Sequence, residues 1–143
     1  EMNRIPQYRA WLTEEKRMVK VNTIDFVCEY IGYERTPPSD DTEGYNETTE
    51  IFKELILMQA TGLKDKNGTE IFEGDICKSC PAGVSGLIEK HNGSWCWKNE
   101  VGYWYIVKSV HDHEPYNHEI NICDDIEIIG SIYLNPELLE AKP

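Results

Sequence analysis

Two cysteines at a spacing used in zinc and redox sites are the first residues that could carry chemistry. Cys77 and Cys80 have CxxC spacing, and His91 and Cys96 could complete a zinc site if residues 84–98 form a hairpin. A redox role would need the motif to open a helix, whereas here it ends a predicted strand. No second pair follows at zinc spacing, so we expect structural thiols, no metal and no other cofactor.

A second group of possible metal ligands lies in a polar loop nearer the C-terminus. The loop contains three histidines and two acids, namely His111, Asp112, His113, Glu114 and His118. HxH spacing at a strand end can bind a metal, but the neighbouring acids favour the protonated imidazolium, which does not. We interpret these side chains as solvated.

Adjacent carboxylates are a third feature with possible chemistry. Three such pairs occur, at Glu14-Glu15, Asp40-Asp41 and Asp124-Asp125. Neighbouring residues of a strand point to opposite faces, so these pairs do not converge on one substrate. Walker, GxGxxG, HExxH and GxSxG motifs are absent. We therefore expect that the protein is not an enzyme; a metal-dependent enzyme using the cysteines and histidines is an alternative.

Aromatic residues crowd one short region. They are Trp95, Trp97, Tyr103, Trp104 and Tyr105. Aromatic side chains on a β face can form a protein interface or stack nucleic-acid bases, although alternation in a strand hides about half of them in a core. The run Gly102–Val110 is the most strand-like of the chain and lacks a proline, so we expect an edge or contact strand there. Its interface candidates are Tyr103, Trp104 and Tyr105.

Short strands are the elements predicted to position these residues. Tyr8–Leu12 and Arg17–Val21 have the pattern of a hairpin, and Thr23–Ile31 alternates like a further strand. The sequence Asn92-Gly93 between two apolar runs predicts another hairpin. Asn135-Pro136-Glu137 has the N-terminal signals of a short helix.

These elements predict a mainly β fold of short antiparallel strands. We expect a partly open barrel with an N-terminal hairpin lobe and a short C-terminal helix. A length of 143 residues is typical of one domain, 1–143. The polar, proline-containing segment 32–49 is predicted to be a loop that can separate a lobe at 1–50 from a barrel at 51–143.

Apolar residues bounded by turns are predicted to form the core. We expect seven of them in one core: Trp11, Leu57, Ile71, Ile76, Ile106, Ile128 and Ile132. Burial of each side chain contributes roughly 1.5–3 kcal/mol.

The segment Leu57–Ile76 contains the most explicit turn chemistry of the chain. Asn67 and Gly68 can supply the positive φ angles of a tight reversal between two apolar runs. Gly74 separates two apolar strand pieces, which indicates a bulge or a close approach of the backbone. We therefore expect Asn67, Gly68 and Gly74 to be structural turn residues.

Three segments of the chain resemble the YopX family of phage and prophage proteins. They are Tyr8–Val21, Leu57–Ile76 and Glu127–Leu139, which lie in the same order and span almost the whole chain. The resemblance implies a YopX-like fold and a phage- or prophage-encoded accessory protein to which no biochemical activity is assigned. It also favours self-association.

Net charge limits the possible partners. The charge of −12 argues against nucleic acid and against anionic membranes. No apolar run is long enough for a membrane span or a signal peptide, so we expect a cytoplasmic protein of the bacterial host cell. The stretch 109–141 has no lysine or arginine, and as an alternative function it could imitate nucleic-acid phosphates as a decoy for a host protein.

The favoured interpretation is a self-assembling, protein-binding accessory protein. Unprotected strand edges and the aromatic surface predict a homo-oligomer, with a host or phage protein as a further partner. The acidic decoy and the metal-dependent enzyme are the alternatives.

Overall fold

Short strands make up most of the described chain. The computed structural model describes residues 7–34, 47–79, 83–107, 119–121 and 126–140. They belong to two compact units, residues 1–59 (unit 1) and residues 60–143 (unit 2). The predicted mainly β fold is confirmed, and the strands form open sheets that are not closed into a barrel.

Unit 1 is an antiparallel meander. Its elements are β1 (Tyr8–Leu12), β2 (Arg17–Asp25), β3 (Tyr30–Glu34), β4 (Glu47–Ile51), a 3-10 helix (Phe52–Glu54) and the first half of β5 (Leu55–Lys64). The strand order is β4-β3-β2-β1-β5. The predicted β1–β2 hairpin is present, with Lys16 in the left-handed region at the end of its loop.

One strand prediction in unit 1 is wrong. Residues 23–31 alternate like one strand, but β2 ends at Asp25 and β3 starts at Tyr30. The carboxylate of Asp25 accepts hydrogen bonds from the backbone N–H groups of Val27 (2.9 Å) and Cys28 (2.8 Å), and this Asx-type turn reverses the chain. A side chain that bonds to its own backbone outweighs the period-2 pattern.

The core of unit 1 is a cluster of buried residues from its neighbouring strands. Its members are Ala10, Leu12, Val19, Ile31 and Tyr33. Tyr33 lies 5.7 Å below the guanidinium of Arg17, which also bonds Glu15. Burial, aided by the charge of Glu15, raises the pKa of Tyr33, so its hydroxyl stays protonated.

Unit 2 contains the second half of β5, seven further strands and one short helix among its described residues. They are β6 (Glu70–Phe72), β7 (Asp75–Ser79), β8 (Ser85–His91), β9 (Ser94–Lys98), β10 (Tyr103–Val107), β11 (Glu119–Asn121), β12 (Ile126–Ser131) and α1 (Glu137–Glu140). The main sheet has the order β11-β10-β9-β8-β7-β12, antiparallel except for the parallel pair β10–β11. β6 pairs with the second half of β5.

Unit 2 has its own core. The buried residues are Ile71, Cys77, Ile88, Trp97, Ile106 and Ile126, with Ile128 packed at the margin. The prediction that seven residues share one core is therefore wrong. Leu57 packs against the cluster of unit 1, whereas Ile71 and Ile106 belong to that of unit 2. Apolar runs indicate burial, but they do not specify which strands pack together.

The predicted C-terminal helix is present as α1, which packs against β8. Asn135 precedes it, as the sequence predicts, and its backbone carbonyl accepts a hydrogen bond from the N–H of Leu138 (3.1 Å). No helix among the described residues has the length and apolar character that crossing a membrane requires.

Candidate functional site

Three adjacent strands of unit 2, β8, β9 and β10, position the crowded aromatic residues. The β8–β9 hairpin turns at Asn92 and Gly93, whose φ angles are 51° and 80°. Two left-handed residues in sequence match the right-handed twist of the flanking strands, so the predicted hairpin forms at the predicted residues. β10 then pairs with β9.

One face of these strands belongs to the core. Trp97 lies opposite Ile88 on β8 and opposite Trp104 on β10, with the two indole rings 5.3 Å apart. The Trp97 indole N–H donates a 2.9 Å hydrogen bond to the carbonyl of Cys77. A Cβ atom on Gly86 would lie only 2.5 Å from the Trp97 ring, so glycine is required there. Among the interface candidates, Trp104 therefore lies on the core side.

The opposite face carries a different aromatic cluster, the tyrosine face, made of His91, Tyr103 and Tyr105. The imidazole of His91 lies 4.2 Å from the ring of Tyr103, and Tyr103 meets Tyr105 edge to face at 5.7 Å. Tyr103 is 37% exposed and the other two are half-buried. Rings on a β face that are not used by the core can form a docking surface.

Charges of both signs border the tyrosine face. Glu89 on β8 and Lys98 on β9 form an ion pair at 3.3 Å. Register places Cys96 between Glu89 and Tyr105 on the same face. Cys96 is fully buried, and burial followed by the Glu89 charge raises the pKa of its thiol. The thiol is thus kept protonated, which is the form that does not bind metal.

The cysteines of the possible zinc site are not on one face. Cys77 lies opposite Gly86 and Cys96 lies opposite Glu89, three residues further along β8. An odd separation along a strand places the two thiols on opposite faces of the sheet. Cys80 lies outside the described residues. Among the residues that the structure describes, no three Cys, His, Asp or Glu side chains are placed to share a metal ion.

β10 is not an edge strand. It pairs with β9 on one side and with β11 on the other. The edge prediction for Gly102–Val110 is therefore wrong, because residues 119–121 return alongside β10. Residues 108–118, which include the histidine loop and Lys108, lie outside the described residues.

The predicted turn residues of the Leu57–Ile76 segment surround a buried carboxylate that sequence analysis missed. Gly68 has a φ of +83° and its N–H donates to the carbonyl of Asp65 (3.0 Å). The Asp65 carboxylate accepts three backbone N–H bonds, from Asn67 (2.9 Å), Thr69 (2.9 Å) and Ile128 (3.1 Å). An Asp at the first position of a turn indicates the two local bonds, from Asn67 and Thr69. Nothing in the sequence indicates the bond from Ile128.

Gly74 lies between β6 and β7 and is bonded to β8 and to the residue that follows β12. Its φ is +87°, its N–H donates to the carbonyl of Ile88, and its own carbonyl accepts from Ile132, both at 2.9 Å. The carboxylate of Asp75 accepts the N–H of Phe72 across the same turn at 2.8 Å. Gly74 therefore lies at a left-handed turn where β8 and the end of β12 approach the backbone.

Comparison with known proteins assigns a family and supports the fold. The family model described as YopX protein matches residues 7–140. The chain belongs to the YopX family. The crystal structure of protein EF1440 from Enterococcus faecalis is similar to this chain, with 31% sequence identity and a TM-score of 0.56, over 96% of this chain and 99% of that chain. None of the curated proteins matches.

Two of the three YopX-like segments meet in unit 2. Leu57–Ile76 contributes the Asp65 turn, β6 and the first two residues of β7, and Glu127–Leu139 contributes most of β12 and α1. β7 and β12 pair as neighbours, and the Asp65 turn adds a hydrogen bond to Ile128. These two segments thus form one hydrogen-bonded assembly at the β12 edge of the sheet.

Proposed function

We propose that this YopX-family protein is a phage- or prophage-encoded accessory protein that acts in the host cytoplasm by self-association and by binding another protein. The observation that carries the proposal is the tyrosine face. The ring of Tyr103 contacts those of His91 and Tyr105 on the side of the sheet opposite the core residues Trp97 and Trp104. Such a role needs surfaces and no catalytic groups.

Tyrosine suits an interface because it combines a large apolar ring with a hydroxyl that can bond across the contact. The ring contacts of Tyr103 with His91 and Tyr105 hold it in place, so little side-chain freedom is lost on association. These properties favour a docking surface over a face that stays exposed to solvent.

The charge pattern favours a second copy as the occupant. Glu89 and Lys98 lie side by side on the bordering strands. In a two-fold contact each surface meets itself, so each charge can face its opposite on the other copy. A row of one sign would instead repel its copy.

Tyr103→Glu is expected to convert the oligomer to monomer, because each contact would then bury two new charges. Light scattering at micromolar concentration measures the mass. Val101→Glu is the matched control. Val101 is 87% exposed in the β9–β10 turn, and its substitution adds the same charge near the start of β10. A wild-type protein of monomeric mass would contradict the proposal, as would an oligomer that both variants leave intact.

The two alternative functions gain no support from a specific contact. Asp112, Glu114, Asp124 and Asp125 of the decoy stretch lie outside the described residues. A metal-dependent enzyme would rest on the cysteine and histidine clusters. Of these, Cys77 and Cys96 occupy opposite faces of the sheet, and Cys80 and the histidines of residues 111–118 lie outside the described residues.

A further inference from the structure

The hairpin between β2 and β3 in unit 1 exposes apolar side chains at its tip. Phe26 is 72% exposed and Val27 is 92% exposed. Ile51 pairs with Tyr30 at the foot of this hairpin and is 50% exposed. We call Phe26, Val27 and Ile51 the apolar tip. Single exposed apolar residues are common, but two in one turn with a third on the adjoining strand indicate a contact surface.

The geometry of the turn is specified by contacts on both sides. The carboxylate of Asp25 accepts the N–H groups of Val27 and Cys28, and Glu29 has a φ of 57°. The carbonyl of Glu29 accepts the N–H of Phe52 at 2.9 Å. The ring of Phe26 meets that of Phe52 edge to face at 6.1 Å. The tip is therefore preorganised, which lowers the entropic cost of binding.

Acidic residues dominate the surroundings of the apolar tip. Asp25 and Glu29 lie within the hairpin, Glu50 lies on β4 and Glu54 lies in the adjoining 3-10 helix, which also carries one base, Lys53. A second copy would bring the same acids, in a chain of net charge −12, so two tips repel each other. Anionic lipid is disfavoured for the same reason. The complementary surface is apolar with a basic border.

We propose that the apolar tip inserts into an apolar cleft of a partner protein whose rim carries lysine or arginine. The tip of a hairpin is convex, so the partner surface that receives it must be concave. Val27 and Phe26 supply the buried contact, while Glu29 and Glu50 meet the basic rim. This inference rests on the proposal that the protein binds other proteins, but not on the tyrosine face.

A photo-crosslinking benzoylphenylalanine at position 27 is the direct probe, with the same residue at position 101 as the control. Val27 and Val101 are both valines in strand-connecting turns, with exposures of 92% and 87%. The full-length variants are irradiated in bacterial cells that carry the phage or prophage, and cross-linked peptides are mapped by mass spectrometry. We expect a partner protein specific to position 27, cross-linked in an apolar cleft bordered by basic residues.

Binding of that purified partner then tests the chemistry. Val27→Glu is expected to weaken it at least about tenfold, and Glu29→Lys with Glu50→Lys to weaken it and flatten its salt dependence. Val101→Glu should bind like the wild type. A cross-link confined to second copies of this chain, an acidic cross-linked surface, no product specific to position 27, or unchanged affinity of Val27→Glu each overturns the inference.

Light scattering of Val27→Glu separates this inference from self-association. We expect the mass of the wild type, because the tip and the tyrosine face are different surfaces. A lower mass would show that the tip mediates self-assembly, and would overturn the inference while leaving a homo-oligomer in place. A monomeric wild type that still binds the partner through Val27 would contradict self-association and leave the inference about the apolar tip in place.

Discussion

Asp65 is buried, although aspartate is among the residue types that folded proteins most often leave exposed. Its carboxylate is compensated by the N–H groups of Asn67, Thr69 and Ile128. Hydrogen bonds to a charged acceptor are roughly twice as strong as neutral ones, so this arrangement offsets the cost of burial. One side chain thus joins the β5–β6 turn to β12, 63 residues away.

Asp65→Ala is expected to lower the free energy of unfolding by about 3–5 kcal/mol, because three backbone N–H groups lose their acceptor in a partly buried site. Urea denaturation measures the loss. Glu127→Ala is the control, since Glu127 contacts the same turn through Asn67 (3.3 Å) and Lys66 (3.7 Å) from a side chain that is 37% exposed. Glu127→Ala should lower the free energy of unfolding by less than about 1 kcal/mol. Equal effects of the two variants would contradict a special role for Asp65.

Individual residues of the candidate site were predictable to different extents. Strand alternation predicts that Tyr103 and Tyr105 share a face and that Trp104 lies on the other. Which face meets the core depends on the register with Trp97 and Ile88, set by pairing across three strands. The contact of Asp65 with Ile128 is non-local, so sequence spacing contains no signal for it.

Elements with local turn chemistry were the predictable ones. The β1–β2 and β8–β9 hairpins form at the predicted residues because Asn92, Gly93 and the 13–16 loop favour reversal by themselves. The hairpin at Asp25 was missed because Phe26 and Cys28 extend the alternation through its tip. An apolar residue that is exposed in a turn imitates the pattern of a core strand. The parallel β10–β11 pair was missed because no local feature specifies it.

The Phe72–Asp75 turn between β6 and β7 depends on Gly74. Gly74→Val is expected to lower the free energy of unfolding by about 3 kcal/mol or more, because a β-branched residue is strained at a φ of +87° and the site is buried. The melting temperature should fall clearly. An unchanged melting temperature would show that the backbone there tolerates any side chain.

Gly62→Val is the matched control for this turn. Gly62 has a φ of +79°, but a Cβ atom there would meet nothing within 4 Å. The loss in free energy of unfolding caused by Gly62→Val therefore measures backbone strain alone, roughly 1–2 kcal/mol. The excess loss at Gly74 measures the close approach of the carbonyl of Ile88 and the N–H of Ile132, with which Gly74 is bonded.

Across the whole molecule, acids outnumber bases by 26 to 14. Described ion pairs such as Glu15 with Arg17 and Glu89 with Lys98 use some of the bases, and the acids remain in excess over the bases. The mutual repulsion of the excess acids opposes the compact state. A field of this sign is complementary to the basic rim of the partner that we propose for the apolar tip.

Added salt is therefore expected to stabilise the protein. At about 0.1 M salt, charges separated by more than roughly 10 Å are screened, which removes repulsion from the folded state more than from the expanded chain. We expect the melting temperature at pH 7 to rise by about 4 °C between low and moderate sodium chloride, corresponding to about 1 kcal/mol. Glu14→Lys, at an exposed residue of the β1–β2 loop, lowers the negative charge by two and should reduce the rise. A melting temperature that falls with salt, or a Glu14→Lys protein that responds like the wild type, would mean that specific ion pairs outweigh the net charge.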